Sequence, residues 1–125
     1  MIGSKEKGDS MMEKKSTTAN YQRGVASLVI LSPLRREDMY GYQLVQEMER
    51  QSGGSLVTQE GSLYPVLYRL LEQGYISDHK VLVGKRMNRI YYHLEPSGEK
   101  HLEELIKEYT AVAQGVFQII NGGMK

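Results

Sequence analysis

The side chains here best suited to chemistry are hydrogen-bond donors and cations, not nucleophiles or metal ligands. Ser62, Tyr68 and Arg69 fall together on the outward face of one amphipathic stretch, with Pro65 and Glu72 beside them. At 100° per residue Leu63, Val66, Leu67, Leu70 and Leu71 take the opposite face, so the stretch predicts a helix docked by one stripe. A hydroxyl, a phenol and a guanidinium on such a helix suit a groove of double-stranded DNA, where phosphates and base edges both accept hydrogen bonds. Arg69 would either reach a guanine or clamp a phosphate. Tyr40 or Tyr42, at the start of an earlier helix, would hydrogen-bond backbone phosphate. Lys85, Arg86 and Arg89 crowd a later turn and would straddle the adjacent backbone or the minor groove. Each feature also has a plainer account: a solvated helix face, or cations that keep an exposed strand edge from pairing. Their combination points to DNA.

Catalysis lacks its residues. His79, His93 and His101 are scattered, without the i, i+4 pairing or carboxylate partner of a metal site. No phosphate loop, nucleophile elbow or dinucleotide fingerprint occurs, and the Gly-Gly pairs read as helix stops. The absence of cysteine removes disulfides, thiolate chemistry and cysteine-bound zinc. The expectation is a protein that is not an enzyme and uses no cofactor or metal.

The elements that must position the donors follow from the pattern of apolar residues. Within 125 residues there is room for one small domain and a tail, and 40 % hydrophobic content fits that division. Residues 1–20 are rich in Gly, Ser, Lys, Glu and Thr and predict a flexible polar tail, with Met11 or Met12 as an alternative start. From Tyr21 a dense apolar helix carries Val25, Leu28, Val29, Ile30 and Leu31, closed by Ser32-Pro33. Asp38 stands where a cap belongs before a second helix whose inward stripe is Tyr40, Leu44, Val45 and Met48, ended by Gly53-Gly54. Leu56-Val57 reads as a short apolar link or a single bridging strand. The donor-bearing helix follows, capped by Thr58 with Pro65 inside it, or by Ser62 with Pro65 in its first turn. Two helices on a short Gly-containing link make a helix-turn-helix. Ile76 to Val83, a turn over residues 84–88 and Arg89 to Leu94 then predict a hairpin with Ile90, Tyr92 and Leu94 on the core face. With Lys80, Lys85, Arg86 and Arg89 against Asp78 alone, that hairpin reads as a basic wing.

Pro96 opens a long helix running from about residue 97 to 121. Along it Leu102, Leu105, Tyr109, Val112, Val116 and Ile119 recur at spacings of 3, 4, 3, 4 and 3, a coiled-coil seam. Ile106, Ala113 and Ile120 widen it beyond what one small winged domain would cover, so the helix is expected to make a homodimer. No apolar run is long enough to cross a membrane and no N-terminal signal occurs, so a cytoplasmic protein is expected. The net charge of +1 leaves DNA binding to local patches.

These residues carry a family resemblance. The segments Tyr40 to Leu44, Glu60 to Leu70, Gly74 to Ile76 and Arg89 to Leu94, with Gly98 beyond them, resemble the PadR-like transcriptional regulators. The likeness spans Tyr21 to about Ile120. It implies a homodimer with one recognition helix and one wing per subunit, acting on an inverted-repeat operator that overlaps a promoter. Two departures stand out: Glu95 replaces the family's usual threonine, which leaves the capping of the last helix open, and the single C-terminal helix matches the short members. Ligand-binding features of the long members therefore do not carry over.

The expected fold is mainly α with a small β-hairpin: a winged helix-turn-helix over residues 21–95 and a long C-terminal dimerisation helix over residues 96–125. The expected partners are double-stranded DNA, a second copy of the chain and a small-molecule effector between the dimer helices and the core, where Tyr21, Tyr109 and Phe117 are candidate lining residues. The alternative is a winged-helix module for protein interaction or ligand sensing with only weak DNA binding; Glu60 and Glu72, which repel phosphate, fit that reading.

Overall fold

The fold is seen in a computed structural model, which describes residues 24–123. The expected tail (1–20) and Tyr21 lie outside the described residues. Helix α1 covers 24–34, β1 is Met39–Tyr40, α2 Gly41–Gln51, α3 Glu60–Glu72, β2 Ile76–Val83, β3 Met87–Leu94 and α4 Pro96–Ile120. The sheet is antiparallel in the order β1-β3-β2. Its base and the four helices enclose one core in which Leu31, Leu44, Leu67, Leu70 and Leu102 have no exposed surface. Burying each such side chain stabilises the fold by about 1.5–3 kcal/mol. This is the mainly helical, winged architecture that the pattern predicts.

Local departures from the sequence reading have physical causes. Ser32-Pro33 does not close α1; the helix runs to residue 34, with Pro33 and Leu34 buried. Turn bonds from Arg35 N–H to the Ser32 carbonyl and from Arg36 N–H to the Pro33 carbonyl then end it. Asp38 caps nothing, because residues 39–40 are drawn into a strand first: Met39 pairs with Tyr92 and Tyr40 with Tyr91. Tyr40 therefore sits on the sheet and not in the α2 stripe. The third strand comes from Met39–Tyr40, whereas Leu56 and Val57 form an exposed link.

Neither Thr58 nor Ser62 caps α3. Gln59 occupies that position without a side-chain bond, and Pro65 lies inside the helix. Proline removes the N–H that would bond the Gly61 carbonyl, but both residues are exposed, so water can serve that carbonyl. Two glycines allow close approaches. A Cβ on Gly41 would come within 2.8 Å of the Tyr64 hydroxyl, and one on Gly98 would run into the Tyr75 carbonyl and the Leu94 side chain. Gly98 thus seats the first turn of α4 directly on the chain entering β2. The Glu95 N–H donates to the Tyr75 carbonyl at 3.0 Å and Ser97 Oγ to the Gly74 carbonyl at 2.8 Å. Glu95 itself makes no cap bond and accepts instead from Ser77 Oγ at 2.7 Å.

Candidate nucleic-acid interface

The hairpin turn is shorter than predicted. Val83 pairs with Met87, so only Gly84, Lys85 and Arg86 form the tip, and Met87 and Asn88 belong to β3. Directly opposed residues share a face of the sheet. Ile76, Leu94 and Tyr92 point inward and pack on the core. Ile90 has the same parity but is 42 % exposed, because the hairpin has by then projected past the body. Burial of the Tyr92 ring pushes its phenol up to about 12, so it stays neutral. The wing is therefore anchored at its base and free at its tip, with Lys85 and Arg86 both exposed.

On α3, Leu63, Leu67 and Leu70 are buried and Val66 and Leu71 pack against the core. That leaves Ser62, Pro65, Tyr68 and Glu72 exposed, as the helical period requires. Tyr68 stacks on Tyr64 with centroids 6.2 Å apart, which restrains an otherwise open ring. Tyr64 packs on the core and donates from its hydroxyl to Glu60 Oε2 at 3.2 Å; burial first, then Glu60, raises its pKa. Arg69 departs from the exposed role assigned to it. It is half-buried, and its Nη2 is enclosed without a hydrogen-bond partner. Tyr42 is half-exposed on α2, while Tyr40 lies on the sheet near Arg89.

His79 and His93 also differ from expectation, because a carboxylate partner does reach them, whereas His101 stacks on the Tyr75 ring. Asp38, freed from capping, meets His93 Nδ1 at 2.7 Å and His79 Nε2 at 3.8 Å, and Glu95 lies 3.9 Å from His93 Nε2. The Asp38 hydrogen bond holds the His93 pKa above its ordinary value. No sequence spacing announces a pair 55 residues apart; only the alternation of β3 places His93 outward. Among the described residues no cluster of three or more His, Asp or Glu is placed to hold a metal ion.

The proposed seam on α4 divides. Leu102 is fully buried within its own subunit and has no surface to give a partner, and Leu105 packs on the same core. Tyr109, Val112, Val116 and Ile119 are 41, 44, 47 and 80 % exposed, and Phe117 and Ile120 join them. Beside this face a hollow of about 350 Å³ opens between α1, α2 and α4, lined by Val25, Leu28, Val29, Met48, Leu56 and Tyr109 among others. Of the expected effector-lining residues Tyr109 is there, whereas Phe117 does not line it. No helix among the described residues is long and apolar enough to cross a membrane.

Comparison with known proteins agrees with this architecture. An uncharacterized protein X of Lysinibacillus sphaericus is 30 % identical over 100 residues, which are 80 % of this chain and 92 % of that protein. A transcriptional regulator from Clostridium thermocellum superposes with a TM-score of 0.70 at 29 % identity, covering 82 % of this chain and 96 % of that one. The negative transcriptional regulator PadR of Bacillus subtilis is 23 % identical over 92 residues, 74 % of this chain but 50 % of that protein. Its structure in complex with operator DNA shares the fold, with a TM-score of 0.62 at 24 % identity over 66 % of this chain and 46 % of that one. The sequence profile of the transcriptional regulator PadR-like family matches residues 30–104, more than half of the sequence. The chain belongs to the transcriptional regulator PadR-like family.

Proposed function

We propose that the protein is a cytoplasmic repressor that acts as a homodimer on an inverted-repeat operator. The observation that carries this reading is the juxtaposition of an α3 face open at Ser62, Pro65 and Tyr68 with an exposed basic wing tip. Two recognition helices per dimer would enter successive major grooves, about one helical turn apart. Ser62 and Tyr68 supply donors from α3, Tyr42 from the start of α2, and Lys85 and Arg86 meet backbone phosphate. Arg69 is assigned to a phosphate. With Nη2 enclosed it cannot present the paired nitrogens that guanine's two acceptors require. Repression is supported by the Bacillus subtilis relative, a negative transcriptional regulator.

Residues 21–95 would form the DNA-reading unit and 96–125 the assembly element, whose first turns also cover the core. The exposed Tyr109, Val112, Val116 and Ile119 supply the self-complementary surface that a twofold interface needs. An effector that releases the operator would enter the adjacent apolar hollow.

The test is selection and sequencing of bound double-stranded DNA, followed by binding across a salt series. Enrichment of an inverted repeat with half-sites about one turn apart supports the reading. Salt-insensitive, unselective binding would instead favour the interaction-module alternative. Arg86→Ala should weaken binding to all sequences alike and reduce the salt slope by about one.

A further inference from the structure

The outward face of the sheet holds an arrangement that the proposed interface has not used. Register sets Tyr40 opposite Tyr91, His79 opposite Tyr91 and Val81 opposite Arg89. The rings meet: Tyr40 stands edge-on to Tyr91 at 5.4 Å, and His79 stacks on Tyr91 at 5.9 Å. At the end of this row the Arg89 guanidinium carbon lies 4.3 Å from the centre of the Tyr40 ring. Arg89 is half-buried, and among the described residues no carboxylate pairs with it. Arg50, by contrast, is held by Glu47 at 2.7 Å, while Lys85 and Arg86 are exposed and, among the described residues, form no hydrogen bond or ion pair. Arg89 and Tyr40 also line a hollow of about 270 Å³ with Tyr42, Asn88 and Glu60, between the wing and the start of α3. Both proposed DNA-contacting elements border that hollow.

We infer that Tyr40 is a positioning residue: its ring, not its hydroxyl, holds Arg89 at the mouth of this hollow, ready for a DNA backbone phosphate. The inference rests on the DNA-binding reading. An arginine free in water loses rotamer entropy when it settles on a phosphate, and one already seated on a ring loses less. A guanidinium lying this close over a ring is attracted to it through its charge and still has N–H groups directed away from the ring that can donate. Among the described residues no carboxylate pairs with those groups, and Glu60, which lines the same hollow, accepts from the Tyr64 hydroxyl instead. Tyr91, braced by His79 and edge-on to Tyr40, limits how far the Tyr40 ring can swing. This role differs from the phosphate hydrogen bond that sequence reading assigned to the Tyr40 hydroxyl.

The experiment is equilibrium binding of the full chain to double-stranded DNA over a salt series. It compares the unaltered protein with Tyr40→Phe, Tyr40→Leu, Arg89→Ala and the combination of Tyr40→Leu with Arg89→Ala, with thermal melts to confirm folding. Arg89→Ala should reduce the salt slope by about one. Tyr40→Phe, which keeps the ring, should bind like the unaltered protein, while Tyr40→Leu should bind about fivefold more weakly. In the Arg89→Ala background Tyr40→Leu should cause no further loss. Equal losses in Tyr40→Phe and Tyr40→Leu would return the role to the hydroxyl and overturn the inference. So would a Tyr40→Leu loss that persists without Arg89, which a merely structural role would give. If the unaltered protein itself binds DNA without salt dependence, the functional reading fails as well, and that outcome is distinct from either of the others.

Discussion

The two halves of α4 share one helical period and meet opposite fates. Near its start, Gly98 and Leu102 are buried and Leu105 and Ile106 pack on the core. From Tyr109 onward the same stripe leaves the body, until Ile119 is 80 % exposed. The seven-residue repeat runs through both without a break, so periodicity marks what must be covered but not what covers it. The near half is covered by the chain's own core. The far half, still apolar, is the surface proposed to meet a second copy.

Substitutions can break that comparison. The largest effect is expected from Gly98→Ala, since its Cβ would meet the Tyr75 backbone carbonyl, which cannot swing aside as a side chain would. A loss of about 3 kcal/mol or more should appear in chemical denaturation. A stability near that of the unaltered protein would show that the α4–β2 junction can relax. Leu102→Ala should cost a similar amount, about 3 kcal/mol, through the cavity left in the core. Were Leu102→Ala to dissociate a dimer while leaving each subunit's stability intact, Leu102 would belong to the interface and not to the subunit's own core.

Ile119→Glu should do the reverse. Subunit stability, measured at low concentration, should move by less than about 0.5 kcal/mol. Sedimentation should show self-association lost, and an unchanged assembly would remove the distal stripe from the proposed interface.

The smallest effect sharpens the contrast between the anchored wing base and its free tip. His93 is held above its ordinary pKa of 6.5, chiefly by the Asp38 hydrogen bond. A raised folded-state pKa means that the charged pair stabilises fully below about 6.5 and that this contribution fades as pH climbs through the raised value. Both partners are substantially exposed, so solvent screening keeps it modest. The melting-temperature gap between the unaltered protein and His93→Ala should therefore be wider near pH 6 than near about pH 9. Equal gaps at both would mean that the pair carries no charge-dependent stability.

Much of the candidate interface was legible in the chain itself. The stripe of Leu63, Leu67 and Leu70 turns Ser62 and Tyr68 outward wherever α3 docks, because a 100° period leaves no other arrangement. The hairpin, its basic tip and Pro96 at the start of α4 are local events read from local residues. Resemblance to the family added Gly98, whose need for a bare Cα has no local signal; the reason is a carbonyl 23 residues earlier.

Other features only the tertiary structure decided. Asp38 has the chemistry of a cap, but Met39 and Tyr40 were claimed by pairing with Tyr92 and Tyr91, and a ladder so distant in sequence leaves no period to detect. The same pairing brought Asp38 to His93 and Tyr40 beneath Arg89. Arg69 looked like a surface cation until packing enclosed one of its nitrogens. Local sequence determined which faces the helices and the wing present. Contacts between residues far apart in the chain determined which donors on those faces are held, spent or left free, since burial and pairing depend on what arrives from elsewhere.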